Sequence, residues 1–495
     1  MLATSPVLPS RMVLTVLISV GVSSIAAWAI AGPGNTIAAA SLEPGEDLPG
    51  GSATTQKGVG TRDAFSQPSR GIGFEGESRF RIGNSMFRKL WVASPSSTDT
   101  SDGLGPLYNA RGCQNCHLKD GRGRPPSGNF PDGNSVSSLL RLSVPPQNDE
   151  QRRQLADGRI KSVDEPVYGG QLQDVAVPGL DAEGHIHVTY DEQPVTLADG
   201  TAVSLRRPKV SVSQPAHGPL DASTMMSLRV APQMIGLGLL EAIPEEAIRA
   251  KANSETDGIS GRVNEVWSLA SNKLELGRFG WKAGSPSIAQ QSAEAFAGDM
   301  GISSPLVPVS AGDCTSAQLQ CRAAPNGESA RQDGHEIGKE LFELTVFYAQ
   351  NLAVPARRDP GSEQVLKGKA VFQASGCQGC HTPSHKTGTV AGQPALSNQT
   401  IWPYTDLLLH DMGEGLADHR PEGKADGAEW RTPPLWGIGL TETVSGHTYF
   451  LHDGRARNLE EAILWHGGEA QKSRDAYAGL SKENREALLA FVNSL

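Results

Sequence analysis

Two copies of Cys-x-x-Cys-His, Cys113-Gln-Asn-Cys116-His117 and Cys377-Gln-Gly-Cys380-His381, stand 264 residues apart in the chain. The spacing puts both sulfurs of each motif on one side of a helical turn, with the imidazole next in line. One chemistry uses that layout: each thiol adds to a vinyl group of a c-type haem, and the His takes the iron as proximal ligand. Half of a zinc site is the other reading of a Cys-x-x-Cys pair. Neither motif has a second such pair nearby to complete four ligands. The chain therefore reads as a protein with two covalently bound c-type haems, and the motifs divide it into two haem-holding halves.

Covalent haem attachment takes place outside the cytoplasm, so an export signal is expected at the N-terminus. Arg11 precedes the mostly apolar run Met12–Ala31, and Ala29-Ile-Ala31 or Ala38-Ala-Ala40 offers small residues for cleavage. Residues 1–31 are read as a signal peptide and 32–61 as a flexible leader, which places the mature protein in the periplasm with no stable membrane span. An uncleaved anchor is the alternative, because the run is long enough to span a bilayer. The two remaining cysteines, Cys314 and Cys321, are expected to form a short loop-closing disulfide in that oxidising compartment. The formal net charge is −10, and no basic run suggests nucleic acid. An acidic surface suits a small basic electron donor, and it is equally an ordinary solubilising surface.

The expected fold class is mainly α: two cytochrome c-like haem domains, the first carrying a small antiparallel β insertion. The first haem domain is assigned to 62–282, a connector with the cysteine pair to 283–332, and the second haem domain to 333–495. Glu363–Gln373 has a helical apolar face just before the second motif, and Lys482–Leu495 reads as a terminal amphipathic helix with Ser481 as N-cap. His185–Tyr190, Pro194–Leu197 and Thr201–Leu205 alternate around Ala198-Asp-Gly200, a hairpin signal within an insertion at about 160–215. Arg229-Val-Ala-Pro-Gln-Met-Ile-Gly-Leu-Gly-Leu239 is echoed by Arg431-Thr-Pro-Pro-Leu-Trp-Gly-Ile-Gly-Leu440, and a duplicated cytochrome unit explains the echo.

With these residues in view, the chain resembles the bacterial di-haem oxidoreductase family, whose members are described as di-haem peroxidases and sometimes labelled thiol oxidoreductases. The resemblance runs from Asn84 to Leu495. It is carried by Gly103-Leu-Gly-Pro-Leu-Tyr-Asn-Ala-Arg-Gly-Cys113, Leu228-Arg-Val-Ala-Pro232, Gly277-Arg-Phe-Gly-Trp-Lys282, Ile401-Trp-Pro-Tyr-Thr-Asp406 and Leu451-His-Asp-Gly-Arg455. The C-terminal part is more distantly similar to di-haem cytochrome c peroxidases. That similarity implies an axial residue on the helix after His-Asp-Gly, which falls on His466 where those enzymes usually have Met. Met412 is the competing sixth ligand of the second haem, and His466 is preferred. The peroxidases often bridge their domains with Ca²⁺. Here Ser254–Gly261 offers one Asp and one Glu, too thin an oxygen set to favour calcium.

Arg431 and Arg455 are candidate partners for haem propionates, since guanidinium grips carboxylates bidentately. For the first haem no His or Met stands at a spacing that compels sixth ligation. An open iron there would need an acid–base group, and Glu241, amid apolar residues in Gly238-Leu-Leu-Glu-Ala-Ile-Pro244, is the catalytic candidate. The Phe-Trp-Asp-Gly-Arg segment of the peroxidases' first domain is missing. The expected function is that of an exported di-haem oxidoreductase of peroxidase type. Electrons would pass from a periplasmic donor of cytochrome c or cupredoxin type, through the C-terminal haem, to hydrogen peroxide or another small substrate at the N-terminal haem. A non-enzymatic electron-transfer cytochrome and an oxidase of an organic or thiol substrate are the alternatives.

Overall fold

The computed structural model describes residues 38–98, 101–252 and 258–495, besides Met1. The expected signal peptide and the calcium residues Ser254–Asp257 lie outside them. Two helix pairs give the frame. Gly73–Arg88 runs towards the first motif and packs on Lys339–Gln350, while Glu363–Ala374 runs into the second motif and packs on Lys482–Ser494. Both crossings are set by a glycine. A Cβ on Gly83 would lie 2.2 Å from the Leu344 carbonyl oxygen, and one on Gly368 would lie 1.9 Å from that of Ala487. Only a residue without a side chain lets the backbones approach so closely. Ser481 caps the terminal helix by accepting the Asn484 N–H.

The echoed segments fold alike and meet each other. Met225–Val230 and Glu429–Arg431 are strands, and each leads through a left-handed glycine, Gly236 or Gly437, into a short helical turn. A Cβ on Gly236 would meet the Trp436 ring at 2.3 Å, and one on Gly437 would meet Ile235 at 2.5 Å. Each repeat thus seats a side chain on the other's glycine.

Helix accounts for about 29% and strand for about 18% of the chain, so the class is mixed rather than mainly α. Most of the strands among the described residues are two to six residues long and pair two by two, too short for alternation to show in the sequence. The long exception is the hairpin of His185–Thr196 with Ala202–Ser213. Its base packs with Leu140, Leu142 and Leu228, whereas Leu197 and Leu205 near its tip are buried in the core of the C-terminal half. Asp199 at the turn pairs with Arg485 at 2.8 Å. The insertion therefore clasps the second half instead of standing free.

Two expected boundaries are redrawn by packing. Residues 38–61, expected in the flexible leader, lie against the C-terminal half: Glu46 is 0% exposed and accepts from Lys369 Nζ at 2.7 Å and Tyr404 OH at 2.6 Å. Lys339–Gln350, expected to open the second haem domain, belongs with the first motif's helix. Composition shows that segments are polar or apolar, but not which partner they bury against. By contacts, the described residues between 38 and 495 form one unit. No helix among the described residues is long and apolar enough to cross a membrane.

Candidate functional site

Both motifs open onto one continuous cavity of about 820 Å³. Gly112 starts the turn Cys113–Cys116 and has room only for a hydrogen, since a Cβ there would lie 2.4 Å from the Lys89 carbonyl oxygen. The first motif is thereby pressed against the end of its leading helix. Gly376, in the left-handed region, starts the turn at Cys377. The imidazoles are held in the same way: His117 Nδ1 donates to the Pro232 carbonyl at 2.8 Å and His381 Nδ1 to that of Tyr404 at 3.0 Å. Anchoring Nδ1 on a carbonyl fixes the tautomer and leaves Nε2 to bind a metal, a common arrangement for iron-ligating histidines. Burial lowers both imidazoles to about 4, so they are neutral, as ligands must be. All four motif thiols are free, and burial raises Cys113, Cys116 and Cys377 to about 12. Two protonated thiols, an anchored imidazole and apolar walls fit one haem at each motif.

The surroundings of His381 are rich in further imidazoles. Asn458 caps the helix Leu459–Leu464 by accepting the Glu461 N–H at 2.8 Å, and His466 follows the helix end. The Ala462 carbonyl accepts from His466 Nδ1 at 2.8 Å, again leaving Nε2 free. His466 is half-buried, borders the cavity, and bears electrostatically on His381. Met412 borders the cavity too. Sequence reasoning gave no role to His410, which is 2% exposed and sits between Asp406 at 2.9 Å and Glu469 at 2.7 Å, with Cys380 Sγ at 3.6 Å. Burial alone would discharge it; hydrogen bonds to Asp406, Cys380 and Glu469 outweigh that and raise it to about 12. Asp406 stands four residues before His410, but Glu469 is distant in sequence, so no local pattern announces the clasp.

Trp281, Trp430, Arg122 and His452 border the cavity as well. The Trp430 and His452 rings stack at 3.7 Å, and the Arg122 guanidinium lies 5.1 Å from the Trp281 ring centre. Of the two arginines proposed for propionates, Arg431 borders the cavity, with Nε and Nη1 held by the Gly280 and Thr432 carbonyls. Arg455 does not. It is buried against Asp453 at 2.8 Å and the Gly415 carbonyl at 2.6 Å, so its expected role gives way to a structural ion pair.

No titratable side chain among the described residues is seen to shift His117, whose lowering comes from burial against two backbone hydrogen bonds. Glu241, the expected catalytic group, is outside the cavity lining. Its Oε1 accepts the Ile288 N–H at 2.8 Å and its Oε2 accepts from Gln350 at 2.7 Å, tying a helix start to a neighbouring helix. The apolar sequence around Glu241 reflects the packing of its neighbours Leu239 and Leu240 in the core. The acidic groups that do border the cavity are Asp164, Glu294, Asp299, Asp313 and Glu422, of which Asp299 bears on Cys113 and Cys116, and Cys314–Cys321 closes the loop that begins at Asp313.

The family described as "Di-haem oxidoreductase, putative peroxidase" matches residues 46–495. No curated protein matches. Among solved structures, hydrazine synthase of Kuenenia stuttgartiensis, pressurised with xenon, is similar at 13% identity and a TM-score of 0.26, covering 72% of this chain and 90% of that one. At that score the likeness carries no weight for the fold.

Proposed function

Because the chain belongs to the di-haem oxidoreductase family, we propose that it is an exported c-type enzyme that reduces hydrogen peroxide with electrons from a small periplasmic donor. The observation that carries this reading is the unequal furnishing of one shared cavity. His381 has a second anchored imidazole, His466, beside it, and among the described residues no imidazole bears on His117. A six-coordinate iron relays electrons and an open one binds substrate. When bound, the haems supply the redox-active iron that takes electrons singly and delivers them to peroxide.

The chain's own residues do the rest. Cys113 and Cys116 would hold one haem and Cys377 and Cys380 the other by thioether bonds, with His117 and His381 as proximal ligands. His466 would serve as the further ligand of the second iron, favoured over Met412 because its Nδ1 is anchored and its Nε2 is not. Trp281 and Trp430 would give the shared cavity part of its apolar wall. Arg431 and Arg122 offer guanidinium groups to propionates. The donor, of cytochrome c or cupredoxin type, docks near the second motif.

The test is steady-state turnover of hydrogen peroxide with reduced cytochrome c as donor, alongside optical and EPR spectra of the purified protein. High-spin ferric haem at half of the iron, together with turnover, is the expected result. Two low-spin haems and no turnover would make the chain an electron-transfer cytochrome; oxidation of thiols with electrons flowing to the donor would reverse the direction.

A further inference from the structure

Next to the first motif, one wall of the cavity is polar and is assembled from distant stretches of chain. Asp299 comes from the last turn of the helix Ile288–Met300, Asp164 and Gln171 from one loop region, and Asp313 from the start of the disulfide-closed loop. Gln171 ties Asp299 to Asp313. Its Nε2 donates to Asp299 Oδ1 at 3.0 Å, and its backbone N–H donates to Asp313 Oδ2 at 2.9 Å. The Gly170 N–H reaches the same Oδ2 at 2.8 Å, which leaves Asp313 Oδ1 for other partners. Gln171 is 1% exposed, yet its Oε1 has no hydrogen-bond partner among the described residues. At one end of this wall, the charge of Asp299 bears on Cys113 and Cys116; at the other, Asp164 bears on Asp313. The Asp313 loop is pinned by Cys314–Cys321, by Thr315 Oγ1 on the Val167 carbonyl at 2.8 Å, and by Gln318 on Glu183 at 2.5 Å.

Resting on the peroxidase reading above, we propose that Asp313, paired with Asp164, is the acid–base group of the first-haem site. The Asp313 carboxylate takes a proton from the attacking peroxide oxygen and returns it to the leaving oxygen. Over one turnover the O–O bond breaks and two new O–H bonds form. Two electrons come from the donor and two protons from solvent, and two waters leave. Two nearby carboxylates resist double ionisation, so the pair retains a proton where a lone exposed Asp would not. Burial and then the charge of Asp164 raise Asp313 to about 7, against the Gln171 N–H, Arg141 and the Gly170 N–H. Burial also raises Asp164, against Arg420 and Arg141. Lys161, Arg122, Arg229, Arg278, Glu294, Asp299 and Glu422 also line the cavity walls, and the charge of Asp313 bears in turn on Glu183. A group that titrates near the working pH suits a proton shuttle.

The experiment compares wild-type holoprotein with D313N, D313E and D164N. Haem content, peroxide turnover against pH, and the rate of cyanide binding to the ferric protein are measured. Cyanide arrives as HCN and must lose its proton, so its rate reads the base without peroxide chemistry. D313N should keep two haems, lose turnover by at least about 100-fold, lose the pH limb near 7 and bind cyanide more slowly, with partial recovery in D313E. D164N removes the charge that raises Asp313, so its limb should move to lower pH with a smaller loss. Wild-type turnover, pH profile and cyanide rate in D313N would overturn the proposal. A wild type that ignores peroxide would end the peroxidase reading alone; the cyanide rate of D313N then decides for or against Asp313. Should D313N fail to take up haem, the limb and cyanide rate of D164N decide in the same way.

Discussion

The surroundings of the two motifs share a frame and differ in furnishing. Each motif follows a helix that crosses a partner helix at a glycine, and each is followed by a strand, a left-handed glycine and a short helical turn. What fills the space near each His is unrelated. Around His381 are two further imidazoles, one anchored on a backbone carbonyl and one clasped by carboxylates. Near the first motif is a polar wall on which Gln171 joins Asp299 to Asp313, with the charge of Asp164 bearing on Asp313. Duplication accounts for what the halves share. The difference teaches that one frame can hold two unlike settings when only the side chains beyond the motif histidine change.

The comparison breaks most visibly if a motif is removed. C377S/C380S should reduce covalent haem from two to one per chain, by pyridine haemochrome assay, and abolish turnover with the protein donor. Full donor-driven turnover from the single-haem variant would show that the second half is not the electron entry. A smaller change sharpens the ligand assignment. H466G should turn the second haem from low-spin to high-spin in the EPR spectrum and cut donor-driven turnover about tenfold or more, while M412L leaves the spin state alone; the reverse pattern would transfer the ligand role to Met412.

The shared frame is tested by packing. A methyl group at Gly83 or Gly368 must push against a backbone carbonyl. That costs about 1–3 kcal/mol, which offsets or exceeds the ~1 kcal/mol that Ala gains over Gly in a helix. Both G83A and G368A should lower the melting temperature of the holoprotein by a few degrees, and a rise in either would remove the close crossing from the account. The smallest expected effect is on stability against pH. Asp313 titrates at about 7 when folded, above the ~3.9 of an unfolded Asp. The folded state therefore holds an extra proton between those values, and the contribution of Asp313 to stability falls as pH rises through that window. D313N lacks the group, so its melting temperature relative to wild type should be more favourable at pH 8 than at pH 5. A difference that does not change with pH would mean that Asp313 ionises normally.

The two motif turns were legible because Cys-x-x-Cys-His is local: five residues determine the turn, the two thiols and the imidazole beside them. The helices at Glu363–Ala374 and Lys482–Ser494 were legible because they have apolar faces and one has a capping serine. Where function depends on distant residues meeting, legibility ended. Glu241 looked catalytic because its sequence neighbours are apolar, yet its oxygens are used to join two helices. Asp313 stands in a stretch that reads as a connector, and only the fold brings it to Asp164 and Gln171. Arg455 matched a family segment but spends its guanidinium on Asp453. The leader around Glu46 reads as polar linker because its partners Arg357, Lys369 and Tyr404 lie some three hundred residues on.

The asymmetry of the two haem sites is the central claim, and a cyanide titration of the fully ferric protein followed by EPR tests it most directly. The account predicts one high-spin haem per chain that turns low-spin with one equivalent of cyanide, beside one low-spin haem that does not respond. Two haems that respond alike, both binding cyanide or both ignoring it, would contradict it.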